Sequence, residues 1–266
     1  MTGVICINMK NKALQKFLIV LGVTLFWLFV WQIVSLAINS AIILASPLQV
    51  IASLFELIQI SSFWLSVFNS LLRVVLGFLL ALFFGTALAF LCYFFKIADA
   101  FIKPLILLFR TVPVAALTIL IFFWISGKEI SVIVSFIMVM PVFFVNIYNG
   151  LKATDIKMLQ MADVFKLKTH RKIKFIYFPQ IKSFFIAATS TGIGIAWKSA
   201  IAAEIISSPK DTIGYSLNAA KLWLAMPEVF AWTAVVIVLS LLMEFLVKKV
   251  LKLWDRRKND NSEKHL

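Results

Sequence analysis

The sequence predicts an all-α, polytopic membrane protein, with six transmembrane helices and a cytoplasmic helix-turn-helix between spans four and five. Composition is the first observation: 62% of the 266 residues are hydrophobic and mean hydropathy is +0.99, against about 45–50% apolar content in soluble domains. The second is a series of charge-free runs of about 20 residues, long enough to cross a bilayer core of about 30 Å. The third is charge bias. Of the 26 Lys and Arg, three lie in 1–16, three in 96–110, eight in 150–182 and seven in 248–266, so 21 share one side. Four fall in the opposite intervals (Arg73, Lys128, Lys210, Lys221) and Lys198 lies within a span. The positive-inside rule then puts both termini and the 151–182 interval in the cytoplasm.

Each element follows from its residues. Lys10, Lys12 and Lys16 precede a run from Phe17 to about Ile38, too long for a signal-peptide core and without a convincing cleavage site, hence a retained first span. Trp27 and Trp31 within it pack or face lipid. SPLQVIASLFELI reads as a short interfacial helix on the outer side: Ser46 caps it, Pro47 fits its first turn, and Val50, Leu54 and Ile58 repeat at i+4. Arg73 leads into span two, about 74–95, where Gly77 and Gly85 lie eight apart on nearly one face and permit close helix approach. After a basic interval with Lys96, Asp99, Lys103, Pro104 and Arg110, span three covers about 112–126, with Pro113 near its start. A turn at 127–129 leads to span four, about 130–148, with Pro141 inside. Span five runs from about 183 to 206, and Ala188, Gly192, Ala196 and Ala200 give it a smooth stripe for helix packing. An outer loop with a short helix, 207–227, precedes span six, about 228–247. The chain thus divides into a tail with the first span (1–45), a core (46–250) and a basic cytoplasmic tail (251–266).

Several function classes are excluded or unsupported. The formal charge of +14 sits between spans without an aromatic-interleaved surface, so it suits membrane lipid headgroups and not nucleic acid. No Gly-rich phosphate loop, zinc-binding helix motif or nucleophile–base pair occurs, so no catalytic residue is assigned and any nucleotide site belongs to another polypeptide. Cys6, Cys92, His170 and His265 are isolated, and no metal site is expected.

Two features remain to carry function. The segment 151–182 reads as two short helices with a hinge. Asp155, or Thr154 beside it, caps the first, whose apolar positions Met158, Met161, Ala162 and Phe165 follow i, i+3, i+4, i+7; Thr169 caps the second, which runs toward Pro179. This is a docking surface for a soluble partner or a plain basic loop. Lys198 costs about 3 kcal/mol near a bilayer centre even on the lenient scale. It therefore faces a wet pathway or is paired across a helix interface. Glu204, six residues on, lies about 9 Å along the axis on another face, so the two do not pair directly. Both are candidate pathway residues.

The 151–182 segment resembles the cytoplasmic EAA loop of binding-protein-dependent ABC importer permeases. Aligned on Pro179, Gln160, Met161 and Ala162 take the E-A-A positions, Lys166 the glycine, and Ile176 and Phe178 precede the proline. The leading Glu, first Ala, Gly and Leu of that pattern are not kept. The flanks NSLLRVVLGFLLALFFGTALAF, RTVPVAALTILIFFW and GIAWKSAIAAEI, with SPLQV ahead of them, resemble the nitrate/sulfonate/taurine-type branch, in order from about residue 46 to 257. The resemblance implies a permease subunit, not an enzyme, for a small organic anion or related solute such as a sulfonate, taurine, nitrate or a vitamin precursor. It implies a second permease copy as a homodimer, a cytoplasmic ATPase subunit that carries ATP and Mg, and an extracytoplasmic solute-binding protein. It makes Met158, Gln160, Met161, Ala162, Phe165, Lys166, Ile176 and Pro179 the ATPase-coupling residues. If the hinge needs a left-handed residue, Lys166 costs about 1 kcal/mol where glycine would not. A membrane scaffold subunit without transport and an ion-coupled carrier are the alternatives.

Overall fold

The computed structural model describes residues 2–125 and 127–263, with side chains described at 15, 18–125 and 127–253. His265 and the Cys6 side chain lie outside these. Among the described residues all regular structure is helical: α1 (Thr2–Ile38), α2 (Pro47–Gln59), α3 (Ser61–Phe94), α4 (Lys96–Thr111), α5 (Val114–Phe122), α6 (Ile130–Lys152), α7 (Ile156–Val164), α8 (Thr169–Lys172), a π-helical turn (Ile173–Tyr177), α9 (Phe178–Ser207), α10 (Ile213–Leu222) and α11 (Met226–Glu263). Five are long and apolar enough to cross a membrane, and α4 with α5 makes a sixth if a bent pair counts as one span. The spans therefore number five to six.

The chain forms two compact units, one made of residues up to Ile60 with Ala219–Ala234, the other of Ser61–Asn218 with the chain from Val235 onward. In the first, Ser46 and Gln49 form a reciprocal capping box with Pro47 in the first turn of α2. Ala45, Val50 and Ala231 are buried, with Trp31, Leu54, Leu57 and Phe230 packed against them. Trp31 Nε1 donates to Ala45 O at 3.0 Å, whereas Trp27 is exposed.

The second unit is built on close backbone approach. A Cβ added at Gly77 would lie 2.8 Å from Ser135 Cβ and Val132 O, and one at Gly85 would lie 2.7 Å from Met140 O and 2.8 Å from Phe143 Cβ. Only glycine lets α3 lie this close to α6. Helix α9 packs on the same pair: Ala188, Gly192, Ala196 and Ala200 are all buried. Phe78 and Phe143 meet edge-on with centroids 5.5 Å apart, and Phe143 reaches Phe185 at 6.1 Å. Trp197 Nε1 donates to Val236 O of α11 at 3.1 Å.

Three sequence expectations need correction. The predicted third span, 112–126, is not one helix. α5 has nine residues, about 13 Å at 1.5 Å per residue, and α4 and α5 meet at 105°. The break has a local cause: the Pro113 ring forces Val112 out of the helical region, to ψ 127°, and Pro113 itself has ψ 138°. Span two does not start after Arg73, because α3 begins at Ser61 and Arg73 is buried inside it. Nor does span five begin at about 183: α8, the π turn and α9 run on as one span candidate, Thr169–Ser207, with Pro179 in the first turn of α9. A proline ring clashes with the carbonyl four residues earlier. The π turn loosens the backbone at that point, with Phe178 N–H donating to Ile173 O, five residues back.

Gly85→Val is expected to lower the thermal unfolding midpoint of the detergent-solubilised chain, overpacking of this kind costing about 1–3 kcal/mol. Gly22→Val in α1, where nothing lies within 4 Å, should leave it unchanged. Equal effects at the two sites would contradict the close-approach account.

Candidate functional site

The 151–182 segment folds as two helical pieces with a hinge, with one difference at a cap. Asp155 is the cap of α7, its Oδ1 accepting from Lys157 N–H at 2.8 Å. Thr169 does not cap α8. Lys168 holds the N-cap position without a side-chain bond, and Thr169 is the first helical residue. The candidate residues separate by burial. Ala162 and Ile176 are buried; Met158, Gln160, Met161, Phe165, Lys166 and Pro179 are exposed. With Ile156 and Val164 also exposed, α7 and its C-cap Phe165 present five large apolar side chains next to basic residues.

The hinge is set by backbone hydrogen bonds. Leu167 N–H donates to Ala162 O at 2.9 Å and Lys166 N–H to Asp163 O at 2.9 Å, the paired bonds of a Schellman motif. That motif needs a left-handed residue, and Lys166 has φ 51°. The family-pattern glycine position thus keeps its backbone shape although a lysine occupies it. Lys172 Nζ forms an ion pair with Asp163 across the hinge. Beyond it, Tyr177 of the π turn is buried and contacts α3: its ring lies 5.5 Å from the Tyr93 ring and 5.9 Å from that of Phe94.

Further along, α9 has two contrasting faces. One is the buried Ala/Gly stripe. The other carries Ser183, Ala187, Thr191 and Lys198, all exposed, at helical spacing and small or polar throughout. No acidic side chain pairs with Lys198 among the described residues. Glu244 of α11 comes near this face one turn away: its Oε1 lies 3.1 Å from where a Gly194 Cβ would be. The sequence reading passed over Glu244, although a carboxylate sixteen residues into an apolar span is a readable signal.

Glu204 shares no environment with Lys198. It is fully buried where α3, α9 and α10 meet. Ser70 Oγ donates to Glu204 Oε2 at 2.6 Å and in turn accepts from Ile213 N–H at 3.0 Å. Gly214 N–H donates to the same carboxylate oxygen at 3.3 Å, and Arg73 Nη1 lies 3.6 Å from Oε1. A Cβ at Gly214 would sit 2.3 Å from Glu204 Cβ, so this junction needs glycine. The carboxylate offsets its desolvation through an opposite charge and two hydrogen-bond donors on two other helices. Arg73 was missed as its partner because a basic residue beside an apolar run reads as a span boundary.

These features define a class: a multi-pass membrane protein with a tightly packed helical core and a helical loop that exposes an apolar patch. The chain belongs to the binding-protein-dependent transport system inner membrane component family, whose pattern matches residues 74–259. It is 28% identical over 223 residues to the putative aliphatic sulfonates transport permease protein of Bacillus subtilis, covering 82% of this chain and 80% of that one. It is 22% identical over 220 residues to the taurine transport system permease protein of Escherichia coli, covering 80% of each. With the nitrate import permease protein of Synechococcus elongatus it shares 26% over 217 residues, covering 77% of each. A crystal structure of an amino acid ABC transporter with histidines has the same fold, with a TM-score of 0.56 at 17% identity over 73% of this chain and 94% of that one. The protein is therefore an ABC transporter permease subunit and not an enzyme; the family implies an ATPase on a partner chain and a solute-binding partner.

Lys166→Gly removes a left-handed side chain at an exposed hinge. It is expected to stabilise the loop by about 1 kcal/mol, read as amide exchange about fivefold slower across 156–172. Faster exchange would show that the lysine side chain holds the hinge.

Proposed function

We propose that this permease works as a homodimer that imports a small organic anion, with the 156–178 helices docking on the ATPase subunit. The observation that carries the reading is the apolar patch of α7 and its C-cap, since five large apolar side chains exposed over 156–165 beside a basic surface mark a protein contact. Met158, Met161 and Phe165 seat in the ATPase, Gln160 and Lys166 lie at its polar edge, and Ala162 and Ile176 hold the docking helices to the body of the permease. Pro179 sits where the π turn hands over to α9. Closure of the ATPase pair moves the loops together, and the unbroken helix from Thr169 into α9 carries that movement into the membrane. The charge bias places the loop and both termini in the cytoplasm.

The open face of α9 lines the pathway between the two copies. A lipid-facing surface carries large apolar groups, as the exposed leucines and phenylalanines of α1 and α3 do; this face carries hydroxyls, alanine and Lys198. The ammonium favours an anion, and the relatives named for sulfonates, taurine and nitrate support the same choice. Glu204, buried in its own network, holds the outer end of α9 to α3 and α10 and contributes to the pathway through position alone.

Met161→Asp with Phe165→Asp would bury two carboxylates in the docking site, so recovery of the ATPase with the purified permease should fall more than about tenfold. Undiminished recovery would overturn the docking role. Lys198→Ala should cut uptake severalfold in vesicles while leaving the assembled complex intact, and Lys198→Arg should restore part of it. Loss of complex in step with uptake would make the lysine structural.

A further inference from the structure

A second basic site lies apart from the loop, between α4 and α6. Lys96, Lys103 and Arg110 repeat every seven residues along α4, which keeps them on one helix face. Lys103 and Arg110 face the last turns of α6, where Tyr148, Asn149 and Lys152 complete the rim of a cavity of about 250 Å³. Both amines are held by one ring: Lys103 Nζ lies 4.5 Å and Lys152 Nζ 4.7 Å from the Tyr148 centroid. Asp99 is bound to Lys103 at 2.5 Å and is the one carboxylate near these three cations, so Arg110 and Lys152 form no ion pair of their own among the described residues. The groove therefore carries two uncompensated positive charges. Its remaining walls are apolar, including Ile106, Leu107 and Phe144.

We infer that this groove binds the headgroup of an anionic phospholipid. The cavity is smaller than the roughly 300–1,000 Å³ of sites that enclose a drug-sized molecule; it suits a headgroup whose acyl chains stay outside. Those chains have a surface to lie on, because α4 exposes Phe101, Leu105, Leu107 and Leu108 beside the basic stripe. A soluble anion would leave that surface unused. Cations at the end of a span with apolar side chains around them match the charge and the amphipathic form of a lipid such as phosphatidylglycerol.

The test is native mass spectrometry of the full chain released from detergent, with phosphatidylglycerol or phosphatidylcholine of the same acyl chains added. Phosphatidylglycerol should be retained in preference. Arg110→Gln with Lys152→Gln should weaken that preference by about fivefold for each charge removed, whereas Arg110→Lys with Lys152→Arg should keep it. Lys210→Gln with Lys221→Gln, a change of equal charge elsewhere, should also keep it. Equal retention of the two lipids, or an undiminished preference in the glutamine variant, would overturn the site. Displacement by excess inorganic phosphate would overturn the lipid as occupant and point to a soluble anion. Loss of bound lipid when the ATPase subunit is added would show that the groove is a protein contact instead.

Discussion

Apolar helices in a bilayer gain nothing from hiding apolar surface, because lipid tails are as apolar as their neighbours. The contact of α3, α6 and α9 therefore depends on how near their backbones can come. Gly77 and Gly85 allow α3 to lie against α6 at distances where any side chain would meet backbone atoms. The small stripe of α9 then rests on that pair, with Phe78, Phe143 and Phe185 filling the space beside it. Density of contact substitutes for the hydrophobic effect, and a core of this kind moves as a body because it has no slack to absorb displacement.

In the proposed coupling, that rigidity gives the loop its use. The hinge at Lys166 is locked by two backbone hydrogen bonds and an ion pair to Lys172, and the chain from Thr169 onward has no break before Ser207. In that proposal a push on α7 has two routes into the membrane. One runs along the helix into α9, the other across the Tyr177–Tyr93 contact into the end of α3. At the far end of α9, the Glu204 network ties the same helix to α3 and α10. The helix proposed to carry the movement is thus anchored at both ends to its neighbour.

Much of the fold was legible because bilayer length and backbone geometry leave few choices. Uncharged runs give the spans, Ser46–Pro47 gives the start of α2, and two glycines eight apart give the α3 contact. The readings that failed concern where spans begin and whether they are continuous. Arg73 looked like the edge of a span, yet it is inside α3 because Glu204 lies 3.6 Å away, and no local pattern announces a partner 131 positions later. Span five was read from about 183, but a π turn lets the helix run on from Thr169 through Pro179. Pro113 fitted either a helix first turn or a local break, and the break is what forms. At the loop, periodicity picked out the apolar positions of α7 without telling which were covered. Ala162 and Ile176 turn inward while Met158, Met161 and Phe165 remain open, a division that depends on tertiary packing. The left-handed hinge follows from the resemblance to a glycine-bearing pattern more than from anything in the lysine itself.

The central claim is mechanical: the α7 patch acts on the pathway through an uninterrupted helix. Inserting two glycines between Phe175 and Ile176 would leave the α7 surface intact while making the link to α9 pliable. The reconstituted complex should then still hold its ATPase and hydrolyse ATP, but uptake should be lost. Uptake at the unmodified rate with the insertion in place would contradict the account.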